Sequence, residues 1–313
     1  MRAIVRLVQL VATLLVASAI VFAAMSVLPG DAALLRLGMN AEPEAVAALR
    51  AEMGLDRPLP ARFAAWLGGV VSGDLGTSGT YDVPVTALIA ERAAVSAPLA
   101  ALALLLSVML ALPAGLLAAI RRDRISDRLV QAAAQVGLSV PAIWLGLLFI
   151  YVFAAHLRWT ASGGFPGWGA GFGAGLAALV LPTLALGIPQ AAILTRIVRT
   201  AVTEAMDEDY VALARAKGRR LAGAVIVHAL PNAWAPIITI IGMQFGFLVA
   251  GAIVVETVFN LPGLGRLLFQ AVAQRDVVLV QGVTLVVVAT VVVVNALCDV
   301  LATWTNPRQR AAP

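Results

Sequence analysis

The sequence predicts an all-α membrane protein with six spans and both termini on one side. Three observations carry this. Of 313 residues, 61% are apolar and only 12% charged, with a mean hydropathy of +0.94. Soluble domains carry about twice that charged fraction, so a soluble globular enzyme is excluded. Marking the charges leaves six long charge-free windows, at 7–30, 93–120, 129–157, 159–195, 221–255 and 277–298. Each holds the roughly 20 residues that cross about 30 Å of hydrocarbon as a helix. The bases, finally, are shared unevenly between the connecting loops, which sets the orientation.

The first window, preceded by Arg2 and Arg6, exceeds the roughly 7–15 apolar residues of a signal-peptide core and is expected to remain as a span within 1–30. Residues 31–94 are expected outside the membrane. Within them, Pro43 to Met53 reads as a short helix, with Pro in its first turn and Gly54 closing it. Pro60 to Val71 reads as a second, with Phe63, Trp66, Leu67 and Val70 on one face. Such a Trp-bearing helix either lies in the bilayer interface or meets a soluble partner. A transmembrane domain is expected over 95–304, with spans at about 97–120, 130–155, 176–198, 236–256 and 281–303 and a tail at 305–313. Pro113, Pro141, Pro182 and Pro189 are expected to kink spans two, three and four. Asp299, near the end of span six, is expected to snorkel or pair at the interface.

Orientation follows from the loops. Arg121, Arg122, Arg124 and Arg128 follow span two, and Arg196, Arg199, Arg215, Lys217, Arg219 and Arg220 follow span four. The opposite loops hold Arg158, and Arg266 with Arg275. The basic side, with Arg2, Arg6, Arg308 and Arg310, is cytoplasmic. The sequence pI near 10.3 is then a topology signal, and no nucleic acid is expected as a partner.

The loop at 199–233 is the most informative. Asp207, Glu208 and Asp209 crowd one end of a short stretch, Arg215 and Lys217 the other, and Gly218 follows. This is the charge order and stop signal that a helix favours. Tyr210, Leu213, Ala214 and Lys217 share a face, giving a small, mostly apolar stripe. A helix of about ten residues spans roughly 15 Å and has no core of its own. Its stripe must bury against the membrane surface, the protein's own spans, or a groove on a cytoplasmic partner.

The chemistry of fuel and catalysis is absent. The one lysine, Lys217, precedes Gly218, which excludes a P-loop. No GxSxG or HExxH occurs, and His156 and His228 stand 72 positions apart. Cys298 alone supports neither a disulfide framework nor a thiolate cluster. No catalytic, cofactor-binding or metal-ligating residues are therefore expected. A six-span channel or secondary transporter without an ATPase partner would need a re-entrant or charged pore segment or an intramembrane relay. A membrane enzyme would need clustered acids or histidines. None is found.

Asp209, Tyr210, Leu213, Ala214, Arg215, Ala216, Lys217 and Gly218, followed after nine residues by His228-Ala229-Leu230-Pro231, resemble the coupling loop of type I ABC importer permeases, in its dipeptide, oligopeptide and nickel branch. Pro29-Gly30-Asp31, Gly54-Leu55-Asp56-Arg57-Pro58-Leu59, Gly73-Asp74-Leu75-Gly76-Thr77-Ser78, Glu256-Thr257-Val258-Phe259, Leu261-Pro262-Gly263-Leu264-Gly265 and Asn306-Pro307-Arg308 extend the resemblance along nearly the whole chain. Ala212 stands where the general motif has Glu, and His228 where it has Ile, so a salt bridge of that Glu does not carry over. The long external insert is similar to the B-type permease of the branch.

The resemblance implies the type I permease fold and an inner-membrane importer subunit. Its partners would be a C-type permease, two ATPase subunits that bind ATP and Mg, an external solute-binding protein and the lipid bilayer. The short helix would dock in an ATPase groove. Branch members carry peptides, nickel complexes, glutathione or sugars. Orientation is testable: in a Cys298→Ser background, Ser72→Cys is expected to label with an impermeant thiol reagent added outside, and Arg124→Cys not. Equal labelling would overturn the topology.

Overall fold

The structure, a computed structural model, describes residues 2–27, 37, 41–52, 54 and 56–305. Pro29-Gly30-Asp31, Met53, Leu55, Arg310 and the closing Asn306-Pro307-Arg308 lie outside the described residues. Among those described the fold is helical, with one isolated antiparallel bridge between Thr77 and Pro84. Five helices are long and apolar enough to span, and a bent pair makes a sixth crossing possible. The chain divides into two compact units, 1–96 with 262–292, and 97–261 with 293–313.

The first unit begins with α1 (Arg2–Val27), α2 (Pro43–Glu52) and α3 (Leu59–Ser72). Phe63 and Trp66 of α3 turn their rings onto Phe22 of α1, with centroids 5.4 and 5.6 Å apart. Part of the expected apolar face of α3 thus packs on α1. Gly73 stops α3: at φ +82° it donates to Val70 O at 3.1 Å while Asp74 N donates to Gly69 O at 2.8 Å. That pairing needs a left-handed residue, which glycine supplies without strain.

The unit's core joins α4 (Val85–Ile120), α10 (Leu264–Ala273) and α11 (Val277–Thr305) through Val85, Leu88, Leu267, Ala271, Leu279 and Val283. Asp276, buried between α10 and α11, organises the junction. Its N–H closes α10 on Ala271 O at 2.9 Å, and its carboxylate caps α11 at Leu279 N, 3.1 Å. The same carboxylate accepts from the fully buried Ser78 hydroxyl and from Thr80 N at 3.0 Å. The Gly73–Ser78 motif is therefore the strap that pins the segment between α3 and α4 to α11.

In the second unit, α7 (Phe172–Met206) is central. It packs on the later part of α4, on α5 (Ile125–Ser139) and on α9 (Leu221–Val258). Small residues allow close approach in apolar surroundings, where packing rather than hydrophobic burial drives association. A Cβ on Gly115 would fall 2.7 Å from Val198, and one on Gly187 2.9 Å from Leu106.

The helix limits differ from the expected span limits in three places. The expected third span, 130–155, is two helices, α5 and α6 (Ala142–Phe149, continuing as a π-turn over Ile150–His156), bent by 91°. Pro141 causes the break: the residue before proline is driven extended, and Val140 sits at φ −94°, ψ 118°. The helices also outrun the hydrocarbon-length windows, since charge marks the membrane edge and not the helix end. Residues 199–206 remain in α7 and 221–233 belong to α9, so helix continues into both ends of the expected loop 199–233, and 207–220 connect the two helices.

Because Asp276 holds two helices and the strap, Asp276→Ala is expected to cost about 3 kcal/mol through the lost cap and the orphaned Ser78. Segment 74–84 should become protease-sensitive, with Asp276→Asn intermediate. Unchanged proteolysis in Asp276→Ala would show that the strap is held otherwise.

Candidate functional site: a braced loop helix

Between α7 and α9 lies α8 (Asp209–Ala216). Eight residues make about 12 Å of helix, too short to be stable in water alone. The helix is held from behind. Val211 and Ala214 are buried among Leu194, Val198, Ala201 and Val202 of α7 and Ala224, Val225 and Ala229 of α9, with Tyr210 packed at the edge. This revises the expected stripe: Ala214 and Tyr210 serve the protein's own core, while Leu213 is 57% exposed. Asp209, Ala212 and Ala216 share Leu213's side of the helix and are exposed. The result is a small outward ridge, Ala212-Leu213 and Ala216, on a helix whose back is fixed.

The end of α8 is a full left-handed stop. Gly218, at φ +88°, donates to Arg215 O at 2.9 Å, and Arg219 N donates to Ala214 O at 3.2 Å. Arg215, Lys217 and Gly218 are exposed. His228 lies in a π-turn, Val225–Ala229. Pro231 has no N–H to give residue 227, and Leu230 N reaches back five residues to Val225 O. The His228 carbonyl accepts from Asn232 Nδ2 at 2.8 Å. His228, Leu230 and Pro231 are half-buried, Leu230 against the core behind α8.

The sequence reading missed a brace between α5 and α7. Arg199 of α7 clamps Asp127 of α5 with two hydrogen bonds of 2.7 Å, Nε to Oδ1 and Nη2 to Oδ2. Asp127 also accepts from Asp123 N at 3.0 Å, and its side chain is only 4% exposed. Such a fork-to-fork pair fixes orientation as well as distance. Arg122 adds a surface contact at 3.3 Å to Asp207, two residues before α8; exposed pairs of that kind contribute about 0–1 kcal/mol. Asp127 stands 72 positions from Arg199 inside an arginine run, so no local spacing announces the pair. The candidate signal was an acid in an otherwise basic stretch.

Membrane-length helices thus carry a short helix packed on α7 and α9. Residues 111–311 match the model of the family described as the binding-protein-dependent transport system inner membrane component, and residues 1–99 match its N-terminal companion. A Sinorhizobium fredii chain named "probable peptide ABC transporter permease" is 36% identical over 305 residues, covering 97% of both chains. The glutathione transport system permease protein GsiC of Escherichia coli is 38% identical over 305 residues, again with 97% of both covered. A solved inward-facing methionine ABC transporter chain shares the fold, with TM-score 0.57 and 19% identity, over 70% of this chain and 96% of that one. This chain belongs to the family of binding-protein-dependent transport system inner membrane components. It is a multi-pass, inner-membrane permease subunit of an ABC importer.

Arg199→Ala alone strands a buried carboxylate and is expected to cost about 3 kcal/mol. Adding Asp127→Ala should recover more than about 1 kcal/mol of that loss, read as urea or thermal unfolding of the purified assembly. Strictly additive losses would show that the pair is not coupled.

Proposed function

We propose that this permease imports peptides or related small solutes, with its pathway formed together with a second, C-type permease. An external solute-binding protein delivers the solute, and two ATPase subunits, which bind ATP and Mg, supply the energy. The relatives named for peptide and glutathione transport support the substrate class. On this reading α8 is the coupling helix, and the basic loops that flank it are cytoplasmic.

The observation that carries the docking role is the division of α8 into two faces. Val211 and Ala214 are already buried in the chain itself, so the ridge of Ala212, Leu213 and Ala216 is left for an external groove. ATP-driven movement of the ATPases would then be transmitted through Leu213's face into α7 and α9. The chain's sequence holds no P-loop, so hydrolysis is assigned to the partner subunits.

Leu213→Glu would bury an unpaired charge in that groove. It is expected to leave chain abundance near normal while weakening ATPase co-purification at least tenfold and abolishing transport. Ala214→Glu should instead reduce the abundance of the chain itself, because the charge enters its own core. Gly218→Val imposes roughly 1–2 kcal/mol of backbone strain and should loosen the ATPase with smaller effect on abundance; the exposed Ala222→Ser should be mild. Full ATPase retention and transport in Leu213→Glu would place the ridge on the lipid surface and remove its coupling role.

A further inference from the structure

We propose that the α4–α5 corner is a binding site for an anionic phospholipid, with its phosphate held by Arg121, Arg124 and Arg128. These three arginines line a recess of about 590 Å³ together with Asp123, Ile125 and Ser126. Asp123 is the one acid at the recess, and its carboxylate lies 3.8 Å from Arg122 Nε, which partly offsets it. Neighbouring bases are committed: Arg122 contacts Asp207, and Arg199 is clamped by Asp127. Arg121, Arg124 and Arg128 have no ion-pair partner among the described residues, and all three are exposed. Three unneutralised guanidiniums around one recess form a phosphate-binding arrangement, with the Ser126 hydroxyl as a further donor.

What makes the ligand a lipid is the surface that continues from the recess. Ile125, Leu129, Ala132 and Val136 fall on one side of α5, and all are exposed, Ile125 by 75% and Leu129 and Val136 by 65% each. Asp127 and Ala134 are buried on the opposite side. The stripe from residue 125 to 136 is about 16 Å long, close to half the roughly 30 Å hydrocarbon thickness and hence to one acyl layer. A soluble phosphate would use the arginines and leave this stripe unexplained. A lipid with a net negative head uses both, and about fivefold in affinity is expected per arginine. Zwitterionic headgroups carry a cation that the same arginines repel.

The test is native mass spectrometry of the purified full importer titrated with palmitoyl-oleoyl phosphatidylglycerol or the matching phosphatidylcholine. The wild type should retain phosphatidylglycerol at least tenfold more tightly than phosphatidylcholine. Arg128→Gln or Arg124→Gln alone should weaken phosphatidylglycerol about fivefold, and the triple Gln variant should lose the preference. The triple Lys variant should keep affinity within about fivefold of wild type. A charge-matched control, Arg57→Gln, Arg158→Gln and Arg275→Gln, should leave it unchanged. If the triple Gln variant does not insert, the single variants decide. Equal phosphatidylglycerol retention by wild type and the single and triple variants overturns the site. So does full displacement of the lipid by millimolar inorganic phosphate, which would mark a small-anion site. Loss of a partner subunit with lipid retention unchanged overturns it in favour of a protein contact.

Discussion

Hydrocarbon offers no hydrogen-bond partner, and every peptide group placed in it must be satisfied from within the chain. This constraint decides where the protein can be irregular. The long helices α4, α7 and α9 carry prolines at 98, 113, 182, 189 and 236 without ending, whereas Pro141 breaks the chain into two helices. Several polar side chains in the spans return to their own backbone, Thr195 Oγ1 donating to Ala191 O at 2.7 Å and Ser107 Oγ to Leu104 O at 2.7 Å, whereas Thr183 Oγ1 is buried without a partner among the described residues. Gln244 crosses to the Gln190 carbonyl at 3.1 Å. The Asp127–Arg199 brace likewise joins two helices, α5 and α7, while α8 lies in the connection between α7 and α9.

The loops in turn rely on one repeated device. Residues 73, 218, 260 and 275 all have positive φ, and after each the next N–H reaches back five residues, to Gly69, Ala214, Glu256 and Ala271. Two are glycine, one is asparagine and one is arginine. The glycine stops tolerate the geometry freely; Arg275 carries about 1–2 kcal/mol of strain, offset by Asp276, which follows it and makes four contacts that depend on the turn. A sharp stop lets consecutive helices pack closely, and the strap on Ser78 exploits one of them.

Local signals of this kind were legible in the sequence. Gly54 and Gly218 read as stops, the charge order of α8 reads as a helix, and charge-free windows locate the crossings. What sequence could not give was partnership. Phe63 and Trp66 are visibly apolar, but that they meet Phe22 is a matter of tertiary packing. Ala214 and Leu213 are adjacent and both apolar, and only the position of α7 and α9 decides which is buried. Asp127 and Arg199 become a pair because two helices 72 positions apart converge. The bend at Pro141 was visible as a kink but not as a 91° turn, since proline removes one hydrogen bond and the surrounding packing sets the angle.

The division of α8 into a buried and a free face has a mechanical consequence. An isolated eight-residue helix would fold only on binding, and its ordering cost would be taken from the affinity for the partner. Here Val211 and Ala214 are seated in the core, Gly218 closes the last turn, and Asp127 ties α7 to α5 at Arg199, ahead of the helix end at Met206. The helix is therefore ordered before any partner arrives. A displacement applied to Leu213 cannot be absorbed by fraying, because the residues behind it are packed to under 10% exposure. It must move α7 and α9, the two helices whose walls carry the buried small residues and the Gln190–Gln244 contact.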